Sequence, residues 1–173
     1  MFATLREDVR CVKDRDPAAR SFLEILLLYP GLRAIRMHRK ANGCYRHKLY
    51  FLARWISQRA VRKTGIEIHP AATIGKRLFI DHGTGVVIGA TCVIGKGVKL
   101  YQGVTLGAKS FPLDDQGNPV KNIPRHPILE DGVIVYSNAT ILGRVTIGRQ
   151  AVIGANVWLT RDVAPGEKVT KDQ

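Results

Sequence analysis

The sequence lacks the features that would place it in several common classes of protein. It has no apolar run near the about 20 residues that span a bilayer, and the stretch from Ile25 to Leu28 is far too short. Charged residues occur throughout its first 20 positions, where a secretory signal would be apolar. The 3 cysteines, Cys11, Cys44 and Cys92, show neither paired nor metal-ligand spacing. We therefore expect a reduced, cytoplasmic protein without a membrane segment.

Acidic residues are also scarce, because 14 Asp and Glu face 27 Lys and Arg, giving a formal net charge of +13. Residues 1–66 hold 15 of the basic and 5 of the acidic residues, and residues 67–173 hold the other 12 and 9. Such an excess suggests a polyanionic partner, which could be nucleic acid, an anionic membrane or a small phosphorylated ligand. No aromatic-interleaved basic patch or known nucleic-acid module accompanies the charge. We expect neither nucleic acid nor membrane as a partner.

The first third of the chain has the pattern of a small helical region. Asp16-Pro17 predicts a helix start, with an N-cap carboxylate followed by proline at the first helical position. An apolar segment over 22–27 runs to a stop at 29–31, and a second helix is predicted over about 32–46. A third helix with apolar residues at helical spacing ends at Gly65. We predict an α-helical N-terminal cap over residues 1–66.

From Ile68 onward the apolar pattern has a period of six. The anchors of this pattern, with a two-residue slip and one break, are Ile68, Ile74, Ile80, Ile88, Ile94, Leu100, Leu106, Leu129, Val135, Ile141, Ile147, Ile153 and Leu159. Small or apolar residues follow most anchors after four positions: Ala72, Cys92, Val98, Val104, Val133, Ala139, Val145, Ala151, Val157 and Val163. Neither helices nor hairpins generate this period, whereas a hexapeptide parallel β-helix does. The pattern predicts a mainly β fold over residues 67–173, with triangular coils that point their anchors inward and number a little over four.

The break between Leu106 and Leu129 is rich in proline, glycine and aspartate and cannot continue a coil. It predicts a loop extruded from the β-helix over about residues 108–127. Loops of this length inside a regular solenoid are usually functional. This one ends in Arg125-His126-Pro127.

His82 is the strongest candidate for a catalytic histidine. It lies in the segment Ile80-Asp81-His82-Gly83-Thr84-Gly85, at the two-residue slip, where the glycines allow another chain or a ligand to approach closely. A neutral imidazole oriented by a carboxylate can take a proton from a hydroxyl near neutral pH. The alternative is a structural histidine in a turn.

Metal and cysteine chemistry are less well supported. Some trimeric β-helix proteins hold zinc between subunits through a close histidine pair on one coil, as in carbonic-anhydrase-like enzymes. Here His69 and His82 are 13 residues apart and His126 is on the loop, so we expect no metal. Cys92 occupies an inward position, which favours a core thiol over a nucleophile.

Several motifs resemble those of serine O-acetyltransferases. They are Asp16-Pro17-Ala18-Ala19-Arg20, the segment from Thr64 to Gly75, the segment from Ile80 to Gly89, the segment from Leu100 to Gly107, and Arg125-His126-Pro127. The match covers the chain in order from about Asp16 to about Pro165. The resemblance implies a left-handed parallel β-helix that forms a homotrimer with active sites between subunits. It also implies acetyl transfer from acetyl-CoA to the hydroxyl of L-serine, giving O-acetyl-L-serine for cysteine biosynthesis.

The resemblance also implies catalytic roles at matching positions. His82 would be the general base that activates the serine hydroxyl for direct attack on the thioester. Glu67 would orient this histidine, and His126 would assist at the reacting centre by hydrogen bonding.

Substrate contacts are implied by the same resemblance. Asp16 and Asp81 would hold the ammonium of serine, and Arg125 would hold its carboxylate through a fork of donors. Asp16 is also explained by helix capping alone. CoA would lie along the turns of the later coils, at positions matching Ala108, Ser137 and Ala155.

The sequence departs from the family pattern in ways that leave alternatives open. Gly89-Ala90-Thr91 stands where many members have Gly-Glu-Thr, and the loop over 109–124 is longer and richer in proline. Succinyl-CoA as donor, homoserine as acceptor, or a catalytically silent interaction module therefore remain alternatives. The short helical region favours a trimer over a dimer of trimers. Because no tail ending in isoleucine follows position 171, we expect no stable complex with cysteine synthase.

Overall fold

The computed structural model of the protein describes residues 2–121 and 123–171. Within these residues the chain begins with four helices and continues as short parallel strands. The helices are α1 (Phe2–Arg15), α2 (Phe22–Leu28), α3 (Pro30–Arg46) and α4 (Tyr50–Thr64). The change from helix to strand falls between Thr64 and Glu67. None of the helices among the described residues is long and apolar enough to cross a membrane.

The helix start predicted at Asp16-Pro17 is wrong. Helix α1 already ends at Arg15, and Asp16 lies in a turn where its Oδ1 accepts a hydrogen bond of 2.8 Å from the Ala18 N–H. The next helix begins at Phe22, five residues after Pro17. Ser21 caps this helix, because its side chain accepts a hydrogen bond from the Glu24 N–H at 3.2 Å. Serine followed by glutamate three residues later is the stronger N-terminal signature.

The two later helices agree with the sequence pattern. Helix α3 begins at Pro30, which needs no hydrogen-bond partner for its nitrogen at this first position. Helix α4 ends at Thr64 and is capped by Gly65, whose φ of 69° lies in the left-handed region. The Gly65 N–H donates to the Val61 carbonyl at 2.8 Å and so closes the last turn.

The rest of the chain coils around three parallel sheets. The strands are β1 (Glu67–Ile68), β2 (Thr73–Ile74), β3 (Phe79–Ile80), β4 (Val87–Ile88), β5 (Val93–Ile94), β6 (Lys99–Leu100), β7 (Thr105–Gly107), β8 (Ile128–Leu129), β9 (Ile134–Val135), β10 (Thr140–Leu142), β11 (Thr146–Ile147), β12 (Val152–Ile153), β13 (Trp158–Leu159) and β14 (Lys168–Val169). The first sheet has the order β1-β4-β7-β10-β13, the second β2-β5-β8-β11 and the third β3-β6-β9-β12-β14. Successive strands of the chain therefore belong to successive sheets, as a β-helix requires.

The predicted anchors form the core of this β-helix. In the first sheet, Ile68, Ile88, Leu106, Ile141 and Leu159 stand in register on neighbouring strands. All the anchors are buried except Ile74, which is partly buried against the same core. Burying each such side chain stabilises the fold by about 1.5–3 kcal/mol. The period of six is confirmed because each hexad delivers one inward side chain to the stack.

The helices pack on the first coils through a second core. Phe79 of β3 joins Val9, Cys11, Ile25 and Leu32 in one buried cluster. Polar side chains add two cross-links: Asn42 donates to the Pro70 carbonyl at 2.8 Å, and Ser57 donates to the Ile68 carbonyl at 2.9 Å.

The predicted loop leaves the β-helix between β7 and β8. It contains an isolated antiparallel bridge between Leu113 and Pro119. Asp114 closes its tip, since its Oδ1 accepts from the N–H groups of Gln116 and Asn118 at 3.0 and 2.8 Å. The loop ends at His126 and Pro127, where the chain re-enters the coil beside β5.

Candidate functional site

Most of the predicted site residues lie at two corners of the coil, on opposite edges of the first sheet, whereas Asp16 lies between α1 and α2 and Glu67 lies on β1. The His82 corner joins the third sheet to the first and comprises residues 81–86, 101–104, 136–139 and 154–157. The His126 corner joins the first sheet to the second and comprises residues 69–72, 89–92, 108–121, 123–127 and 143–145. In both places the chain turns between strands, so side chains can point outward without disturbing the core.

His82 is exposed in a left-handed turn. Its φ is 56°, an uncommon value for a residue other than glycine, and Gly83 and Gly85 follow with φ of 91° and 77°. A side chain at Gly83 would collide with Ile66, so the turn accepts only glycine there. Within the described residues, no hydrogen bond or ion pair holds the His82 imidazole. The ring is free to meet a substrate or a neighbouring subunit.

The two carboxylates predicted to hold an ammonium group both have polar partners. Tyr29 donates its hydroxyl hydrogen to Asp16 Oδ2 at 2.8 Å. Asp81 Oδ2 lies 3.2 Å from the ammonium nitrogen of Lys99. Burial raises the pKa of Tyr29 to about 12, helped by the bond to Asp16 and by the negative charges of Asp16, Glu24 and Asp81. Tyr29 is therefore close enough to both Asp16 and Asp81 for their charges to raise its pKa.

Neither Tyr29 nor Lys99 was identified from the sequence as part of the site. Lys99 pairs in register with Phe79 across neighbouring coils, which brings it beside Asp81. The alignment of consecutive coils was the signal that could have found it, because Lys99 stands twenty residues after Phe79.

His126 is held rigidly at the other corner. The Thr91 N–H donates to His126 Nδ1 at 3.2 Å, and the Thr91 hydroxyl lies 2.8 Å from the same nitrogen. Because Nδ1 serves as acceptor, the neutral ring carries its proton on Nε2. Burial lowers the pKa of His126, as do the positive charges of Arg125, His69 and Arg144. The ring packs over Gly89, where any Cβ would overlap it. A neutral donor at Nε2 suits the predicted assisting role.

Arg125 stands beside His126 with part of its hydrogen-bonding capacity unused. Its backbone N–H donates to Thr91 Oγ1 at 2.9 Å, and its guanidinium carbon lies 4.7 Å from the ring centre of Phe111 in the loop. The buried Nε of Arg125 has no partner among the described residues. An incoming carboxylate could satisfy such a donor.

Glu67 and His69 lie on the same side of the first sheet as Arg125. Glu67 approaches Arg54 at 3.9 Å, and within the described chain no ion pair joins it to His82. Tyr45, Tyr50, Arg54, His69 and Pro70 line an open cavity of about 460 Å³. Burial lowers the pKa of His69, and the nearby charges of Arg54 and Arg125 lower it further against the opposing effect of Glu67.

The positions predicted to contact CoA are divided between the corners. Ser137 and Ala155 follow one another along the His82 corner, where the Asn156 N–H donates to the Ser137 carbonyl at 2.9 Å. Ala108 follows β7, where the loop begins at the His126 corner.

The remaining candidates from the sequence are Cys92 and a metal site. Cys92 is buried, and burial raises its pKa to about 12, so it is a core thiol as predicted. In the part of the chain that the structure describes, no cluster of three or more His, Cys, Asp or Glu residues could hold a metal ion.

One chain does not bring all the predicted groups together. Asp81 and His82 belong to the His82 corner and Asp16 lies in the turn that follows α1, whereas Arg125 and His126 belong to the other corner. Within the described residues, no hydrogen bond or ion pair joins Asp16, Asp81 or His82 to Arg125 or His126.

Comparison with known proteins relates this chain to one family. The protein-family model described as "Bacterial transferase hexapeptide (six repeats)" matches residues 126–161 of this chain. A plasmid-borne serine acetyltransferase of Synechococcus elongatus is 53% identical over 169 residues, which are 98% of this chain and 53% of that protein. The serine acetyltransferase of Bacillus subtilis is 49% identical over 162 residues, 94% of this chain and 70% of that protein. The chain thus spans from about half to less than three quarters of these relatives.

A solved structure supports the same relationship. The serine acetyltransferase of Neisseria gonorrhoeae in complex with serine superposes with a TM-score of 0.88 and 35% identity, covering 98% of this chain and 66% of that one. This neighbour and the parallel coils establish a left-handed parallel β-helix with a helical N-terminal region, as predicted.

Proposed function

Because the chain belongs to the serine acetyltransferase family, we propose that it transfers the acetyl group of acetyl-CoA to the hydroxyl of L-serine and forms O-acetyl-L-serine for cysteine biosynthesis. The observation that carries the proposal is the pair of corners, one with an unpaired imidazole that directly follows Asp81 in the chain and the other with an arginine beside a neutral histidine. A zwitterionic amino acid with a hydroxyl is complementary to this set of groups. The proposal is supported further by the Neisseria gonorrhoeae and soybean relatives, which were solved with serine.

In the proposed reaction, His82 takes the proton of the serine hydroxyl as its oxygen bonds to the thioester carbonyl carbon. The bond from that carbon to sulfur then breaks, and the departing CoA thiolate receives the proton from His82. A positioned general base contributes about 100- to 10,000-fold to such a rate. Glu67 would orient the imidazole, and His126 would donate a hydrogen bond from Nε2.

Serine would be oriented by charge at both ends. Asp16 and Asp81 would bind its ammonium group, and Arg125 would bind its carboxylate with the Nε donor that is unpaired in the described chain. Fixing both ends places the hydroxyl at one distance from the base, which is how orientation lowers a barrier.

We propose a homotrimer with each active site between two subunits. The support is that no described contact within one chain joins His82 to Arg125 or His126. The outer face of the first sheet, which separates the corners, also carries exposed apolar side chains at Val87 and Trp158. A dimer of trimers through the exposed apolar residues of α2 and α4 is compatible with this arrangement.

Acetyl-CoA would lie across the same subunit boundary. The small side chains of Ser137 and Ala155 leave the backbone accessible along the His82 corner, and Ala108 would approach from the neighbouring subunit. We propose the cytoplasm as the compartment, since the chain's cysteines, all of them described, are unpaired.

Release of free CoA thiol from acetyl-CoA tests the proposal. L-serine should accelerate release strongly, whereas homoserine, other amino acids and buffer should not, and succinyl-CoA should be a poor donor. If serine releases no more thiol than buffer, the proposed acceptor is wrong. Stoichiometric zinc together with hydration of carbon dioxide would instead identify a metalloenzyme on the same fold.

A further inference from the structure

Asp81, one of the two carboxylates proposed to bind the acceptor's ammonium, already forms an ion pair with Lys99 of the same chain. Lys99 Nζ lies 3.2 Å from Asp81 Oδ2, and the side chains of the lysine and the aspartate are only 16% and 21% exposed. Lys99 reaches Asp81 from the neighbouring coil, where it stands in register with Phe79. The pair therefore joins two neighbouring coils of the β-helix.

Aromatic rings hold the Lys99 ammonium in place. Its nitrogen lies 5.0 Å from the ring centre of Phe79 and 4.5 Å from that of Tyr101. Tyr101 is itself stacked on Tyr136, with ring centres 5.0 Å apart and planes inclined by 10°. Cations over aromatic faces are stabilised without losing their charge. Burial alone would lower the pKa of Lys99, but hydrogen bonds to Tyr101 and Asp81 outweigh it and raise the pKa.

The other proposed carboxylate has no such counter-ion. Asp16 accepts from the neutral hydroxyl of Tyr29 and from the Ala18 N–H, and within the described residues no basic side chain forms an ion pair with it. Of the two proposed ammonium ligands, Asp81 is therefore paired with a cation, and Asp16 has no counter-ion within the described residues. The ammonium group of an acceptor would supply a counter-ion for Asp16.

We propose that Lys99 is a specificity-determining residue of the acceptor site, which neutralises Asp81 so that Asp16 is the main ligand of the acceptor's ammonium. The charge of Lys99 weakens the binding of an acceptor that places a positive charge at this corner, and the effect grows with the acceptor's positive charge. It also favours negative charge on the acceptor. This role presupposes the serine acetyl transfer proposed above. Lys99 acts through Asp81 and touches none of the reacting atoms, so it alters acceptor binding and leaves the chemical step unchanged.

Three ligands separate this electrostatic role from a structural one. L-serine has both an ammonium and a carboxylate, ethanolamine has the ammonium alone, and 3-hydroxypropionate has the carboxylate alone. Lys99→Met removes the charge and keeps most of the stem that lies between the rings. It should bind L-serine and ethanolamine about three- to tenfold more tightly and 3-hydroxypropionate more weakly, with kcat for serine nearly unchanged. A packing defect would instead weaken all three ligands together.

The experiment measures dissociation constants by calorimetry on the intact oligomer, with KM and kcat for serine alongside. Lys96→Met is the matched control, because Lys96 is exposed at a different corner and should change nothing. Lys99→Gln provides a second neutral variant if the Met variant is poorly folded, and the same signs are expected.

The results separate a failure of the proposed role of Lys99 from a failure of the proposed serine acetyl transfer. If the unaltered protein binds and acetylates serine but Lys99→Met leaves all three constants unchanged, or moves them in one direction, the role of Lys99 is wrong. If the unaltered protein neither binds serine nor releases thiol with it, the proposed function fails and the role of Lys99 fails with it.

Discussion

The hydroxyl of Thr91 lies 2.8 Å from Nδ1 of His126 and organises the whole end of the loop. The same oxygen accepts from the backbone N–H groups of Arg125 and His126 at 2.9 and 3.1 Å. One threonine on the second coil thus fixes the position of both residues that arrive from the loop. Arg125, which we propose binds the carboxylate of serine, and His126, which we propose assists catalysis, therefore both depend on Thr91.

Thr91→Val should uncouple these residues while keeping the shape of the side chain. The imidazole nitrogen loses its hydroxyl partner and the two N–H groups lose their acceptor, which should lower the free energy of unfolding by about 1–3 kcal/mol. The misplaced groups should lower kcat/KM for serine by about 10- to 100-fold. Urea denaturation and steady-state kinetics measure the two effects.

Thr91→Ser keeps the hydroxyl and should stay close to the unaltered protein. Thr73→Val, at an exposed position of β2, is the matched control. Full activity in Thr91→Val would show that the hydroxyl does not position the loop end.

Phe111→Ala tests whether the loop supports Arg125. The Phe111 ring lies 4.7 Å from the guanidinium carbon and restricts where the cation can move. Because an exposed cation–π contact contributes about 0.5–1 kcal/mol, KM for serine should rise about two- to fivefold with little change in kcat. Leu113→Ala removes another exposed apolar residue of the loop and should leave KM unchanged. An equal effect of both substitutions would contradict a specific contact with Arg125.

His38 should make the stability of the protein depend on pH. This side chain is 4% exposed in α3, and burial lowers its pKa to about 4 from an ordinary 6.5, aided by the charges of Arg39 and His69. Between about pH 4 and pH 6.5, His38 is therefore protonated in the unfolded chain and neutral in the folded chain. The free energy of unfolding is unaffected by this group above about pH 6.5. It decreases as the pH falls towards 4, by about 3 kcal/mol in total.

Urea denaturation between pH 4 and pH 7 measures this dependence. His38→Gln should flatten the curve, whereas His47→Gln at the exposed C-cap of α3 should not. An unchanged slope in His38→Gln would exclude His38 as its source.

Mixed oligomers test whether active sites lie between subunits. His82→Ala and Arg125→Ala should each be inactive alone, because each removes one corner from every site. Trimers containing both variants should regain activity at about one third of their sites, because one junction in each such ring places an intact His82 corner against an intact His126 corner. Copurification through two different tags isolates these trimers. If each site were built within one chain, the mixed oligomers would remain inactive.

The sequence predicted the β-helix well because its core is repetitive. An inward anchor such as Leu100 or Ile141 needs only an aliphatic side chain every six residues, and that requirement is visible along the chain. The helical region is less regular, and Asp16 was misassigned since an aspartate before proline suits a turn as well as a cap. Ser21 with Glu24 carried the correct signal.

Lys99 shows why part of the site could not be predicted. Its partners Asp81, Phe79 and Tyr101 are set by the alignment of neighbouring coils and by rotamers, neither of which the spacing of anchors specifies. Tyr29 meets Asp16 only because α1 and α2 fold back together. Contacts across coils and between corners need the three-dimensional arrangement.

The central claim is serine-dependent acetyl transfer with His82 as base, and O-acetyl-L-serine formed from acetyl-CoA and L-serine measures it most directly. The unaltered protein should form one O-acetyl-L-serine for each thiol released, and His82→Ala should form it about 100- to 10,000-fold more slowly. Thiol release without that product, or an undiminished rate in His82→Ala, would contradict the account.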